Sequence, residues 1–441
     1  MQEFANIPTL KNAIVDLMTT SGIVNEQLTD TLDYVIDLFQ KNNLGSDYYG
    51  YHNIDHELEV TYVSLLSCLS KDKQNKFNTD DAKYIFVAAL FHDFDPEKSV
   101  DKPHEKNVIR FLEKNDTPKK LIKDAGLDIN IIKALIMRTI YPWSGKARDG
   151  AELEIKKYLE SSPITKGDTT LQSHYRELGW ILSMSDRVGG YALGDFSKAI
   201  ELAKMNAHAS AWSPTLIVKR AVMFFEDMLS NESEMCERVL NSLPKNLRKN
   251  FLDNIVSFMK LRQEEIQIYN RCTYEGLKFV PSIEKLGGKV NSEFIDALLE
   301  IYKELPKPLQ FTRDDFVDSL SDKDTILNTL RIGGSNGPII GFAKGGPLEK
   351  YHISDVEDKN FGKNNTVFLE PVALKMGYWG FHGGREMRHL FTMQVSTKGY
   401  KYLTSFAMRD VITKRKKRRE EEIEFVKKFD PERWDYYRTK L

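Results

Sequence analysis

Apolar residues recur every three or four positions through the first 270 residues, which is the spacing of one face of an α-helix. The segments that follow this pattern read NAIVDLMTT, EQLTDTLDYVIDLFQ, ELEVTYVSLLSCLS, DAKYIFVAALFHD, INIIKALIMRTI, YRELGWILSMSDRV, PTLIVKRAVMFFEDMLS and FLDNIVSFMKLRQEEIQIY. No convincing alternation of apolar and polar residues interrupts them. We therefore expect residues 1–270 to form an all-α domain.

The pattern changes near residue 275, where short strand-like stretches begin to mix with helical ones. The strand-like stretches are LKFVPSI, TILNTLRIGG, PIIGFAKGG, TVFLEPVALK and YKYLTSFAM. The helical stretches are NSEFIDALLEIYKEL, TRDDFVDSLSD and REMRHLFTMQVSTKG, and a long charged helix is expected after the last strand. This mixed order predicts an α/β domain with a mixed sheet over residues 277–441.

Length and composition agree with two soluble domains. The 441 residues are too many for one ordinary core, and 41% apolar with 29% charged residues is typical of globular proteins. The net charge of -1 provides no broad basic field, so neither nucleic acid nor an anionic membrane is expected as a partner. A homo-oligomer is left open.

Cysteine content and the N-terminal segment favour the cytoplasm. The three cysteines lie far apart and form no C-x-x-C pair, so neither a disulfide framework nor a thiolate zinc site is expected. The opening residues lack a basic stretch followed by an apolar one, as a signal peptide would have. No run approaches the 18 apolar residues of a membrane span.

Histidines and aspartates stand at the ends of apolar helical segments. His52 and His56 lie four residues apart at a helix start, where we expect them to share one face. His92 and Asp93 end the apolar segment VAALFHD, and Asp186 ends GWILSMSD. An ionised aspartate at the end of a buried helix is costly unless a cation meets it, which suggests a shared ion.

Imidazole and carboxylate ligands together suit first-row divalent metals: Mn, Fe, Co, Ni or Zn, with Mg as a weaker binder. Such an ion polarises a phosphoryl oxygen and lowers the pKa of bound water, so the site is suited to phosphoester hydrolysis. A nearby histidine that does not bind the metal can protonate the leaving oxygen.

These residues resemble the HD superfamily of metal-dependent phosphohydrolases, whose ligands come in the order His, His-Asp and a distant Asp. The segment YHNIDH looks like the Y-H-N-x-x-H motif of that group. The resemblance implies His56, His92, Asp93 and Asp186 as metal ligands, with His52 as the proton donor and Asp93 also in the catalytic set. It covers roughly residues 45–200.

Some neighbouring residues extend or limit this resemblance. The doublet continues as HDFDP where cyclic-nucleotide phosphodiesterases have H-D-x-D-H-P-G, which argues against a cyclic nucleotide as the substrate. His104 or Glu105 is a candidate contact for a second metal or the substrate. Arg138 and Arg187 are candidates for holding a phosphate, because a guanidinium fits its oxygens bidentately.

A glycine-rich turn, GYWGFHGGR, joins the fourth predicted strand of the second domain to a helix. Such a turn exposes successive backbone N–H groups, and the helix dipole adds positive potential. The arrangement favours a pyrophosphate cradle. The alternative is a tight turn that binds nothing.

The element order around this turn resembles the GNAT acyltransferase superfamily, over about residues 277–441. The resemblance implies binding of acetyl-CoA or another acyl-CoA at Gly380, Gly383, Gly384 and Arg385, although the family's Q/R-x-x-G-x-G/A spacing is not kept. It also implies that Glu370, on the fourth strand, helps to deprotonate an amine.

The leading hypothesis is a bifunctional enzyme. The HD domain hydrolyses a phosphoester of a nucleotide or another small phosphorylated metabolite, and the GNAT-like domain transfers an acyl group from acyl-CoA to an amine. One alternative is a metabolite-sensing protein in which one domain binds a ligand without turnover. Another is an HD-type di-iron oxygenase, which needs additional histidine ligands.

Overall fold

The computed structural model describes residues 7–42, 44, 51–71, 75–97, 103–209, 214–286, 291–305, 310, 312–351, 353, 356–418, 421–428 and 434–441. The chain divides into two compact units. The first comprises Met1–Trp212 and Ile217–Met259, and the second comprises Ser213–Leu216 and Lys260–Leu441. The division falls inside a long helix, about ten residues before the predicted end of the first domain.

Helices build the first unit, and its described residues include no strand. They are α1 Ile7–Thr20, α2 Glu26–Lys41, α3 Ile54–Cys68, α4 Thr79–Phe91, α5 Glu105–Lys114, α6 Asp116–Asp124, α7 Ile129–Met137, α8 Gly145–Ser161, α9 Thr169–Ala192, α10 Phe196–Ala209, α11 Ile217–Asn231, α12 Ser233–Ser242 and the first half of α13 Lys245–Tyr274, whose residues from Lys260 onward belong to the second unit. Among the described residues, none of the helices has the length and apolar character needed to cross a membrane.

Local polar residues fix where these helices begin. The side chains of Asn25, Asn53, Asp128 and Asp168 each accept a hydrogen bond from a backbone N–H in the first turn that follows. Asn78 goes further and forms a reciprocal capping box with Asp81 at the start of α4. Each cap satisfies N–H groups that have no partner inside the helix.

Helices α3, α4 and α9 form the interior of the first unit. Nearly every residue of α3 and α4 is buried, including the charged side chains of His56, Glu57 and Glu59 on α3. Helix α9 packs closely on α3 and also contacts α4. Polar groups on three mutually packed, buried helices need partners there, and this places the candidate metal ligands in one region.

The second unit combines a sheet with helices. Its strands are β1 Phe279–Glu284, β2 Ile326–Ile332, β3 Ile339–Pro347, β4 Thr366–Leu369, β5 Ala373–Leu374, β6 Tyr402–Met408, β7 Glu422–Lys428 and β8 Trp434–Lys440. Its further helices are α14 Ser292–Tyr302, α15 Arg313–Ser321, α16 Gly383–Thr397 and α17 Arg409–Arg418. The predicted fold class, helices followed by a mixed-sheet domain, is confirmed.

The sheet has the strand order β1-β2-β3-β4-β6-β8-β7, with the short β5 paired to β3. Its recorded pairs are antiparallel except for β4 and β6, which run parallel from Thr366 opposite Tyr402 to Leu369 opposite Ser405. Beyond that point the chain after Leu369 turns to β3, while β6 continues alongside β8. Pairing between the two parallel strands therefore stops at Leu369 and Ser405, before the end of β6.

Two apolar cores cover the two faces of this sheet. Helix α16 contributes Met387, Phe391 and Val395 to one core, which includes Leu330 of β2. Helices α14 and α15 cover the other face, where the packed residues include Leu298, Tyr302, Phe316 and Phe342. The glycine-rich turn is thereby fixed at the start of a helix that is anchored on the sheet.

Two expectations about the second unit are wrong. TVFLEPVALK is not one strand, because residues 370–372 separate β4 from β5. The long charged helix after β6 is also wrong, since α17 ends at Arg418 and is followed by the antiparallel pair β7 and β8. Glu421 does not lie on a solvated helix and instead binds Arg388 of α16 through both carboxylate oxygens.

Candidate functional site

Asn53 positions the first candidate ligand. Its side chain accepts hydrogen bonds from the backbone N–H groups of Asp55 (3.0 Å) and His56 (3.3 Å), so α3 begins at Ile54 and His56 lies in its first turn. His52 precedes the helix and does not share its face, contrary to our expectation. The two imidazoles are nevertheless neighbours, with ring centres 5.8 Å apart.

The second and third ligands follow an apolar helix as predicted. Helix α4 ends at Phe91, and His92 and Asp93 come directly after it. Asp186 differs from the prediction, because it lies inside α9 rather than at its end. A carboxylate in the middle of a buried helix has an even stronger need for a compensating positive charge.

The structure brings the four predicted ligands together. His56 Nε2 lies 3.0 Å from Asp186 Oδ1 and 3.5 Å from Asp93 Oδ2. His92 Nε2 lies 3.5 Å from Asp93 Oδ2 and 3.7 Å from Asp186 Oδ1. One ligand atom from each residue falls within 4.8 Å of all the others. Ligands about 2.1 Å from a common ion are about 3–4 Å apart, so the spacing fits a divalent cation.

Two buried atoms of this cluster support the same conclusion. His92 Nε2 and Asp93 Oδ2 have no hydrogen-bond partner among the described residues, although both are shielded from solvent. A buried imidazole nitrogen and a buried carboxylate oxygen 3.5 Å apart are suited to sharing a cation. The donor set therefore fits a metal of the first transition row.

Glu57 contacts the ring nitrogen of His92 that faces away from the other candidate ligands. The Nδ1–H of His92 donates to the carbonyl of Ala89 (2.8 Å), and the Glu57 carboxylate lies 2.6 Å from the same nitrogen. The carbonyl can only accept, so Nδ1 carries a proton and Nε2 is the nitrogen that faces the other candidate ligands. The other oxygen of Glu57 accepts from the backbone N–H of Asp93 (2.9 Å).

The electrostatics of the cluster favour positive charge between the aspartates. Burial would lower the pKa of His56, but Asp186 and Asp93 outweigh it and raise that pKa to about 9. Burial would raise the pKa of Asp93, but the charges of His92 and His52 hold it at about 2. The pKa of Asp186 is lowered as well, because the hydrogen bond to His56 and the nearby His92 outweigh its burial. Both carboxylates therefore stay ionised.

His52 lies at the edge of this cluster. Its Nε2 is 4.0 Å from Asp93 Oδ2, and its ring packs against that of Tyr51 with centres 4.0 Å apart. Tyr51 also meets His56 edge to face at 4.8 Å. Burial, then Asp186 and Asp93, raise the pKa of Tyr51 well above 10, so the phenol keeps its proton.

Sequence reasoning missed Glu57 and the tyrosines. Burial is the main reason that the pKa of Tyr141 rises to about 12, and burial also raises the pKa of Tyr191. Both influence Tyr51 electrostatically and so lie near the cluster. Tyr51 belongs to the YHNIDH motif and could have been singled out. Glu57 carries no sequence signal beyond an acidic residue in a first helical turn.

His104, suggested with Glu105 as a contact for a second metal or the substrate, has a structural role at the start of a helix. His104 caps α5, where its Nδ1 accepts from the backbone N–H of Lys106 (3.2 Å). The buried Asp95 accepts from the backbone N–H of His104 (3.1 Å) and from the Asn107 amide (3.0 Å). Among the described residues, the four-ligand cluster is the single group of this kind.

The glycine-rich turn of the second unit has the backbone that its sequence suggests. Gly377 and Gly380 both have φ of +92°, and His382 has φ of +63° immediately before α16. The His382 side chain makes no capping hydrogen bond. A Cβ on Gly383 would meet Leu330 Cδ2 at 2.4 Å, whereas one on Gly384 would meet nothing nearer than 3.9 Å.

A cavity of about 680 Å³ borders this turn. That volume is within the usual range of small-ligand pockets. It lies within the second unit and is lined by Thr215, Arg262, Glu265, Ile266, Tyr269, Cys272, Thr273, Gly377, Trp379, Gly380, Phe381 and His382. The turn therefore faces open space on this side.

Glu370 lies where β4 leaves β6, and it is almost fully buried at 1% exposure. Its Oε1 accepts from the Lys344 ammonium and from the Tyr351 hydroxyl (3.0 Å), while Oε2 has no partner among the described residues. Burial raises its pKa despite the neighbouring Lys344. Its role as a base is not tested by this arrangement and stays a prediction.

No protein-family model and no curated protein matches the sequence. Matching solved structures include an N-acetyltransferase from Staphylococcus aureus Mu50, with 14% identity over 37% of this chain and 98% of that one, at a TM-score of 0.27. NAA60 of Arabidopsis thaliana in complex with acetyl-CoA matches at 13% identity over 37% and 97%, also at 0.27. Likenesses this low carry no argument about the activity of this chain.

Proposed function

We propose that the first unit is a metal-dependent hydrolase of a phosphoester, either a nucleotide or another small phosphorylated metabolite. The observation that carries the proposal is the approach of His56, His92, Asp93 and Asp186 to within coordinating distance of a common point. Imidazole nitrogens and carboxylate oxygens from three different helical segments supply a mixed donor set. This set suits an ion that activates water beside a phosphoryl group.

A divalent ion bound there would polarise the phosphoryl oxygen and lower the pKa of a bound water. The chain's own residues supply the remaining functions. Glu57 keeps His92 in the tautomer that offers Nε2, and the two histidine ligands are shielded from solvent. His52, at the edge of the cluster, is positioned to give a proton to the leaving oxygen.

The test combines elemental analysis of the purified protein with a phosphatase screen over nucleotides and small phosphorylated metabolites. We expect bound divalent metal and release of phosphate, with both lost in His92→Ala and the turnover lost in Asp93→Asn. Asp55→Asn is the matched control, because Asp55 neighbours His56 on α3 but lies outside the ligand set. Metal without turnover would favour the sensor, and two irons with oxygen consumption would favour the oxygenase.

We further propose that the second unit binds an acyl-CoA and transfers its acyl group to an amine. The parallel strands β4 and β6 support this, because their pairing stops at Leu369 and Ser405. Backbone groups of the two strands beyond this last pair can hydrogen-bond to an extended ligand that carries amides of its own, as the pantetheine arm of coenzyme A does.

The start of α16 is suited to binding the pyrophosphate group of coenzyme A. Glu386 makes the first intrahelical bond, donating to the carbonyl of His382 (3.0 Å). The amides of Gly383, Gly384 and Arg385 precede that bond and are directed out of the helix end. The helix dipole adds favourable potential for a phosphate at this place.

Binding of coenzyme A, measured by calorimetry, tests this second activity. Gly384→Glu places a negative charge in open space at the start of α16. The helix dipole stabilises this charge, but the same charge repels a pyrophosphate. We expect Gly384→Glu to abolish binding and Gly384→Gln, its neutral control, to weaken it far less. Equal binding by the two variants would contradict a pyrophosphate site at this helix.

Amine acetylation in the presence of acetyl-CoA then tests Glu370. Glu370→Gln keeps the shape and the contact with Tyr351 while removing the negative charge. If Glu370 is the base, the variant loses turnover with little change in coenzyme A affinity. Unchanged turnover would leave the carboxylate with a structural role only, in its contacts with Lys344 and Tyr351.

A further inference from the structure

A buried guanidinium lies between two indole rings in the first unit. The centre of the Arg138 guanidinium is 3.7 Å from the centre of the Trp143 ring and 3.4 Å from that of Trp180. Arg138 is 2% exposed, whereas both tryptophans are half-buried. The two rings are inclined at 65° with their centres 6.3 Å apart, so both contact the guanidinium and fix its position without lying flat on its two faces.

One edge of this guanidinium makes no hydrogen bond. Nη1 donates to Ser183 Oγ (3.3 Å), but Nε and Nη2 have no hydrogen-bond partner among the described residues. Those two nitrogens form the side of an arginine that binds the two oxygens of one oxyanion in parallel. Two other arginines of this chain use that same edge: Arg388 on Glu421 and Arg409 on Asp435.

Arg138 shares a carboxylate with a second buried arginine. Arg187 lies beside it and binds Glu232 through both nitrogens (2.6 and 2.7 Å), and it also shares Ser183 Oγ at 3.5 Å. Arg138 Nη2 is 3.8 Å from the same Glu232. Two guanidiniums thus share one carboxylate, and the group has a net charge of +1. Burial lowers the pKa of Arg138 to about 9, which leaves it charged at neutral pH.

The guanidinium group adjoins the four-ligand cluster along α9. Arg187 directly follows the candidate ligand Asp186 in α9, and Ser183 lies about one turn earlier in the same helix. Buried charged donors without hydrogen-bond partners are unfavourable, so an incoming oxyanion that accepts from them would bind more tightly.

We propose that Arg138, with Ser183 and Arg187, is an oxyanion subsite beside the metal cluster, and that it receives a phosphoryl or carboxylate group of the ligand on its Nε–Nη2 edge. Glu232 is the resident counter-ion and limits the affinity. The proposal deepens the hydrolase proposed above and rests on it only for the identity of the ligand.

The experiment uses the full-length protein without metal and inorganic phosphate as the probe. Ionic strength is held constant with chloride, and tryptophan fluorescence is followed. Trp143 and Trp180 contact Arg138 directly, so we expect a saturable change on phosphate addition that Trp180→Phe reduces. Acetate in a parallel titration distinguishes a carboxylate site from a phosphate site.

Three variants should change phosphate affinity in three different ways. Arg138→Lys keeps a cation between the indoles but loses the bidentate edge, so phosphate binding should weaken about tenfold. Glu232→Gln removes the counter-ion, so phosphate binding should tighten about tenfold. Arg148→Met, at an exposed arginine that pairs with Asp149, is the matched control and should bind as the wild type. A purely structural role for this group would not make binding tighter in Glu232→Gln.

The two proposals fail in different ways. No saturable response in the wild type, or equal affinities in Arg138→Lys, Glu232→Gln and the wild type, overturns the subsite, even if metal-dependent turnover is found. Phosphate binding with the predicted order of affinities upholds the subsite even if the phosphatase screen is negative. In that case the site belongs to a sensor of anionic ligands.

Discussion

Glu57 shows how one residue outside the ligand set can control it. It is fully buried, it lies next to His56 in the chain, and its two oxygens serve His92 and the backbone of Asp93. A carboxylate behind a ligating histidine fixes the ring and makes its other nitrogen more basic. Glu57 therefore connects three of the four candidate ligands.

Glu57→Gln should weaken metal binding about 10–100-fold without unfolding the helical unit, because the amide keeps the volume but removes the charge behind His92. Competition against a chelator of known affinity measures the loss. Glu59→Gln is the matched control, since Glu59 is equally buried on α3 but pairs with Lys198 instead. Equal metal affinities in the two variants would remove Glu57 from the site.

The adjacent glycines of the turn should respond in opposite ways to alanine. Gly383→Ala drives a Cβ into the buried Leu330 and should cost about 1–3 kcal/mol. Gly384→Ala has open space and removes backbone freedom from the unfolded chain, so it should stabilise by up to about 1 kcal/mol. Urea unfolding of both variants in parallel tests this. A loss of equal size at Gly384 would mean that its surroundings are not open.

The ligand set could be predicted from sequence because each residue stands beside a local signal. YHNIDH marks a helix start, and an apolar helix that ends in His-Asp is conspicuous in any sequence. Residues that act by touching those ligands carry no such mark. The contact between Arg138 and Trp180 joins residues 42 positions apart in sequence, and it arises only because α9 packs on α7.

At the scale of elements, the C-terminal pair of strands was the main failure of the sequence reasoning. Basic residues 414–419 followed by acidic residues 420–422 are typical of a solvated helix with i,i+4 pairs. Two features hide the strands. A register shift between Ile423 and Phe425 interrupts the alternation of β7, and Arg438 of β8 is buried at 1% exposure against Asp358. That partner, 80 residues earlier, cannot be identified from local pattern.

The ion pair between Arg388 and Glu421 connects α16 to the residue that precedes β7. It should make the stability of the protein depend on pH. Burial would raise the pKa of Glu421, but Arg388 and Arg415 outweigh it and hold that pKa below 4.5. A lowered carboxyl pKa stabilises the folded state above the unfolded value and loses this effect as pH falls through the folded value. The ion pair therefore contributes at neutral pH and disappears in acid.

Glu421→Gln should lower the free energy of unfolding by about 1–3 kcal/mol near neutral pH. The difference from the wild type should shrink as pH falls below about 4.5, because the wild-type carboxylate is then protonated too. Urea titrations at a series of pH values measure both. Glu422→Gln, at the exposed neighbouring position, should have no comparable effect. A difference that stays constant with pH would contradict the ionic contribution.

At the scale of the whole chain, the central claim is that segments far apart in sequence meet at one ion. Hydrogen exchange measured by mass spectrometry can test this directly, because binding slows local opening wherever ligands are tied together. Addition of Zn²⁺ or Mn²⁺ should protect the backbone around His56, around His92 and around Asp186 at the same metal concentration. Addition of coenzyme A should instead protect the start of α16 near Gly384.

The three-segment response is specific to a shared site, since a metal held by a surface histidine would protect one segment only. In His92→Ala the metal-induced protection should disappear from all three segments together, including the one around Asp186, which lies 94 residues away in sequence. The coenzyme A response should persist in that variant, because no proposed contact of that ligand involves His92. Protection that is lost at His92 but kept at His56 and Asp186 would show separate metal contacts, and the shared site would have to be abandoned.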